Sequence, residues 1–236
     1  MGTVESILDE LSALGRPSIK KVLSVHGARE PFFGVRIGDM KPIVKRIGKD
    51  YDLSLGLYAT GNSDAMYLAG LIADDPKMTK TDLNAWVEQA YWPMLSESTV
   101  PWVATGSLHG FERALDWIES DVVTTACAGW CTLSCLASHR RDEDLELATY
   151  RDLLIRVAGS IHSERNRVRY SMNNFVIACG SYLIPLSEFA VNKAQEIGAV
   201  SVDMGKTSCG VPLATEYIQK VVAHGSLGKK RKKVKC

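Results

Sequence analysis

Three arginines fall within five residues, Arg165, Arg167 and Arg169, immediately ahead of Tyr170 and the pair Asn173-Asn174. Guanidinium groups flanking a helix start, where backbone N–H groups lack partners, can hold phosphate oxygens. Their plainer use is ion pairing with neighbours such as Glu164. A second cationic run closes the chain, with Lys229, Lys230, Arg231, Lys232, Lys233 and Lys235 carrying six positive charges and no negative one. Such a run binds polyanions or stays solvated. Other candidates fail on their chemistry. Gly205-Lys206-Thr207 ends like a phosphate loop, but position 200, where the loop needs its first glycine, is Val200. His162-Ser163-Glu164 has the HxE of zinc deaminases without the PCxxC that completes the metal site. Cys127, Cys131 and Cys135 recur every four residues on one helix face, yet structural zinc sites draw CxxC knuckles from turns, so packed thiols are expected. No metal and no cofactor is expected, and no Ser/His/Asp or Cys/His set can be assembled from spacing.

The elements that must position these groups are helices. Val4, Ile7, Leu8, Leu11 and Leu14 repeat with helical spacing up to Gly15. Similar periodicity predicts helices over 17–26, 38–49, 52–60, 63–74, 79–91, 94–105, 108–119, 121–138, 143–162, 166–182, 187–198 and 212–224. They arrive in pairs roughly every 35–40 residues, and 121–138 is apolar nearly all round, as a helix sandwiched between neighbours must be. The expected fold is all-α, an α-solenoid of stacked helix pairs. Residues 201–211 break the pattern: apolar and polar residues alternate around Lys206, which suits a short β-hairpin or an ordered loop. Residues 1–224 read as one repeat domain and 225–236 as a basic tail. All five tryptophans, Trp86, Trp92, Trp102, Trp117 and Trp130, lie within 45 residues, where core packing is their expected use.

The 236 residues are 46% hydrophobic and 23% charged, enough for a full core, which excludes a disordered, collagenous or disulfide-scaffold chain. Six cysteines without a CxxC pair, behind an acidic start, point to a reducing cytoplasm. The longest uncharged stretches, Val122 to Ser138 and Tyr170 to Ser187, carry Ser and Thr, so no membrane span is expected. The formal charge of +1 conceals an asymmetry: without the six tail cations, 22 basic residues face 27 acidic ones and the body is −5. A body of that charge can hold a polyanion where its cations gather on one face.

Phe32-Phe33-Gly34-Val35-Arg36, then Met40-Lys-Pro-Ile-Val-Lys-Arg, resembles the opening motif of the AlkD-like DNA alkylation repair family. The segment Asp64 to Asp74, the aromatic stretch from Tyr91-Trp92 to Val100-Pro101, and Asn166 to Tyr182 follow in the corresponding order, over about residues 30 to 200. The resemblance implies HEAT-like repeats whose basic concave face holds duplex DNA, some members excising cationic alkylated purines. Loss of such a base develops positive charge on the sugar, which a carboxylate and electron-rich aromatic faces stabilise. Active members use a Trp, an Asp four residues later, an Arg on the next repeat and a second Trp. Anchored on Trp92, the Asp position is Ser96; anchored on Val100-Pro101, it is Glu97 and the Trp position is Pro93. The Arg position falls near Cys127, and no Trp follows Trp130.

The pattern resembles the family's non-glycosylase, AlkF-like branch, which implies binding of duplex, branched or distorted DNA without an intact catalytic set. The expected phosphate contacts are Arg36, Lys41, Lys45, Arg165, Arg167 and Arg169, with Asn173, Asn174, Lys206, Lys229, Lys230 and Arg231 beside them. The expected state is a monomer acting in DNA repair. One alternative is an active alkylpurine glycosylase using Glu97 and Trp92. Another is a protein-binding helical scaffold.

Overall fold

Thirteen apolar-periodic segments become thirteen α-helices among the residues described by the computed structural model, 2–207 and 209–235. They are α1 (Val4–Leu14), α2 (Pro17–Val25), α3 (Ile37–Ile47), α4 (Tyr51–Ala59), α5 (Ser63–Ile72), α6 (Lys80–Gln89), α7 (Val100–Gly106), α8 (Gly110–Trp117), α9 (Val123–His139), α10 (Leu147–Ser160), α11 (Asn166–Tyr182), α12 (Ser187–Ile197) and α13 (Ala214–Ala223). The described residues contain no strand, and residues 201–207 and 209–211 form an ordered loop rather than a hairpin. No single described helix is long and apolar enough to cross a membrane.

Local chemistry sets the boundaries. The Thr79 hydroxyl accepts the Asp82 N–H at 3.1 Å while the Asp82 carboxylate accepts the Thr79 N–H at 2.9 Å, the capping box that starts α6. The segment expected over 94–105 divides, because Pro101 has no N–H and its ring crowds the carbonyl four residues back. Leu95–Thr99 widens into a π-type turn in which the Val100 N–H reaches the Leu95 carbonyl, and α7 begins there. The segment expected from 143 starts as a helix only at Leu147. Asp142–Asp144 forms a separate tight turn, held by Arg141 donating to both Asp144 oxygens at 2.9 and 3.0 Å.

The helices fall into two compact units, one of residues up to Arg113 together with Lys235, the other Ala114–Val234. The core of the first holds Ile7, Leu11, Leu57, Met66, Leu68 and Ile72, all essentially inaccessible. There Tyr58 stacks on Trp86 at 4.0 Å and donates its hydroxyl to the Trp86 carbonyl at 2.9 Å. The second unit is built on α9 against α11, where Trp130 and Tyr150 both pack on Phe175. Gly129 makes the approach of α9 to the end of α8 possible: a Cβ there would lie 2.7 Å from the Ile118 nitrogen. From Ala126 to Ser138, α9 is buried except at Ser134 and Cys135, as expected of a sandwiched helix.

The basic chain end is partly fastened. The Arg231 N–H donates to the Ser138 carbonyl, and Lys230 Nζ donates to the Ala137 carbonyl and meets Asp142 at 2.7 Å, so cations complete the end of α9. In the first unit, Lys235 Nζ lies 2.5 Å from the buried Asp75 carboxylate, which Lys49 also approaches at 3.5 Å.

Candidate nucleic-acid interface

The Phe32 to Arg36 segment is extended, and a single carboxylate fixes it. Asp64, in the first turn of α5 and 4% exposed, accepts the N–H groups of Phe33 at 2.6 Å, Gly34 at 2.9 Å and Val35 at 3.0 Å. Gly34 has φ +81°, and a Cβ there would lie 2.6 Å from the Lys20 nitrogen, so only glycine fits. The motif is therefore structural, and what it delivers is Arg36 at the start of α3. Arg36, Lys41 and Lys45 are all exposed, the two lysines one turn apart on α3.

The second unit holds the other candidates. No side chain caps the start of α11. Arg165 is committed: its Nη1 donates to the Ser120 and Asp121 carbonyls at 3.0 and 2.5 Å, tying the α8–α9 joint, while its Nε faces Glu164 at 3.5 Å. Asn166 clasps the 201–211 loop, its amide nitrogen donating to the Asp203 carbonyl and its oxygen accepting the Asp203 N–H, both at 2.8 Å. Arg169 Nη2 donates to the same Asn166 oxygen at 3.3 Å. The Arg167 guanidinium lies 4.3 Å over the Tyr170 ring and also meets the Met204 sulfur. Beyond Met204, Gly205 turns the loop with φ +62° and Lys206 stands exposed at its tip. Arg167, Arg169 and Lys206 are thus linked through contacts of one helix start and one loop.

Two further residues, beside Arg165, play different parts from those the sequence suggests. Asn173 is 1% exposed and donates its amide to the Pro212 carbonyl at 2.9 Å, so it anchors the far end of the loop and presents nothing to a ligand. Lys230 is used on the end of α9, leaving Lys229 and Arg231 exposed beside it. Arg231 Nε donates to the Tyr182 hydroxyl at 2.9 Å. Burial works against its charge, but the Tyr182 bond prevails and keeps the guanidinium above its ordinary pKa. Asn174 and Arg231 both line a groove along α11, with Tyr170, Tyr182 and Tyr217, which sequence reading gave no role. Its only sequence signal is the four-residue repeat Tyr170, Asn174, Ala178, Tyr182.

The glycosylase candidates sit elsewhere. Trp92 is 3% exposed and donates its indole N–H to Ser63 Oγ at 3.0 Å, so its ring is packed in the first unit. Ser96 donates its hydroxyl to the Trp92 carbonyl, and Glu97 is half-buried in the π-type turn. The Cys127 position is wholly buried. His162 uses Nε2 on the Ile197 carbonyl at 2.9 Å, and no three His, Cys, Asp or Glu side chains cluster among the described residues.

The chain matches a defined family. Residues 7–206 match the model of the DNA alkylation repair enzyme family, and the chain belongs to that family. An uncharacterized protein of Listeria innocua is 35% identical over 227 residues, covering 93% of this chain and 97% of that protein. An uncharacterized protein of Listeria monocytogenes is 34% identical over the same extent. A solved structure covering 100% of both chains, with 38% identity and a TM-score of 0.92, is described as a new family of proteins related to the HEAT-like repeat DNA glycosylases with affinity for branched DNA structures. The fold is accordingly an all-α solenoid of HEAT-like repeats.

Proposed function

We propose that this protein is a DNA-binding repair protein, monomeric in action, that holds branched or distorted DNA through its phosphates and is not itself an alkylpurine glycosylase. The likeness over the full chain to a structure from a family with affinity for branched DNA carries this reading. The cations support it: exposed Arg36, Lys41 and Lys45 in one unit, and in the other half-buried Arg167 and Arg169 with exposed Lys206, Lys229 and Arg231, offer guanidinium and ammonium groups suited to phosphate oxygens. The packing of Trp92, with its N–H taken by Ser63, speaks against its use as an open aromatic face for a cationic base.

The test is comparative binding of the full chain to single-stranded, duplex, mismatched and four-way-junction DNA. Preference for the junction is expected, with no free base released from alkylated duplex. Equal weak binding to all four, or release of alkylated base abolished by Glu97→Gln, would overturn it.

A further inference from the structure

The two most buried helices of the second unit each leave one window, and both windows open on the same groove. On α9, Ser134 and Cys135 are the only residues between Ala126 and Ser138 that are not buried. On α11, Asn174 is the only such residue between Ser171 and Ser181. All three line a groove of about 330 Å³. Of the three asparagines on α11, Asn166 and Asn173 are consumed in holding the loop. Asn174 has no hydrogen-bond partner among the described residues, so its amide, two donors and one acceptor oxygen, faces the groove unanswered.

Apart from Arg231 and Ser138, the rest of the lining is aromatic or aliphatic. Tyr170 and Tyr182 stand at the two ends of the α11 stripe, about 18 Å apart along the helix at 1.5 Å per residue. Tyr217, 46% exposed, comes from α13. Arg231 is the one charged lining residue among those described. A run of phosphates needs several cations, which this groove does not offer. A flat, neutral, hydrogen-bonding group with one phosphate attached fits it, since tyrosine rings stack such a group and an open amide reads its edge.

We infer that the groove along α11 takes an unpaired nucleotide at the branch point of DNA, its base stacked on the exposed Tyr217 ring and its edge bonded by Asn174, with Arg231 at its phosphate. The inference rests on the DNA-binding reading and says what in a branch is recognised: the unstacked base that a continuous duplex does not present.

The experiment uses the full chain with a fully paired four-way junction, the same junction carrying one unpaired 2-aminopurine at its centre, a linear duplex and a single strand. The unpaired junction is expected to bind about 10-fold tighter than the paired one, as stacking of a single base allows, with a change in 2-aminopurine fluorescence. Tyr217→Ala and Asn174→Ala are expected to abolish that preference and that fluorescence change while leaving paired-junction affinity within about two-fold, whereas Arg167→Ala weakens both junctions alike. Equal affinity of the wild type for the two junctions, or equal losses on both in the groove variants, overturns the groove assignment and leaves DNA binding standing. Failure of the wild type to bind any of the four DNAs removes both readings.

Discussion

Replacing Asp64 by Asn tests whether one carboxylate builds the segment that delivers Arg36. Asp64 answers three N–H groups, two on Oδ2 and one on Oδ1. An amide keeps one acceptor, so the best arrangement retains the Phe33 and Gly34 bonds and turns an NH2 group toward the Val35 N–H, which is buried. Leaving that N–H unanswered costs about 1–3 kcal/mol, and converting the other two bonds from charge-assisted to neutral costs roughly a further 1 kcal/mol. A loss of about 3 kcal/mol is expected, which lowers a urea midpoint by about 1 M at an m-value near 3 kcal/mol/M. The assay is urea unfolding, paired with hydrogen exchange at Val35 to localise the loss in the first unit. A drop below about 1 kcal/mol, with Val35 protection retained, would refute the assignment of the motif's geometry to Asp64.

Other outcomes follow from the same contacts. Burial pushes the Asp75 carboxyl up and the Lys235 ammonium down, so each depends on the other. Lys235→Met is expected to cost about 1–3 kcal/mol, with Lys49 giving partial relief and Asp75→Asn in the same chain restoring much of it, read by thermal melting. Partial burial works to raise the pKa of Asp82, but hydrogen bonds from Thr79 and Tyr51 prevail and hold it below the usual range. Its contribution, about 1 kcal/mol, is therefore present above the unfolded value near pH 4 and lost as pH falls through the lower folded value. The stability gap between wild type and Asp82→Ala should narrow below pH 4 in acid titrations. Lys206→Ala should reduce the salt slope of junction binding by about 0.9 without changing stability.

The helices were legible because burial on one side of a helix writes its own period. The segments predicted over 17–26, 63–74, 166–182 and 187–198 match α2, α5, α11 and α12 to within two residues. The thiols Cys127 and Cys131 pack as their spacing suggested. What the period hides is the use of each polar group. Asn173 and Asn174 are adjacent and chemically identical, yet one is buried on Pro212 and the other opens on the groove, because neighbouring helical residues point about 100° apart. The alternation around Lys206 was visible, but its outcome as a loop depended on Asn166, some 37 residues earlier, supplying the partners a strand would have used. Lys230 and Arg231 looked alike in a basic run; Asp142 and Tyr182, distant in sequence, divide them.

Phosphate-dominated binding of branched DNA is tested most directly by the salt dependence of junction affinity. Four to six exposed cations in contact with phosphate predict that log K falls against log salt with a slope of about −4 to −5 on a four-way junction. The slope should become shallower when Arg167 and Lys206 are replaced by alanine together. A slope shallower than about −1, unchanged by those replacements, would contradict the account.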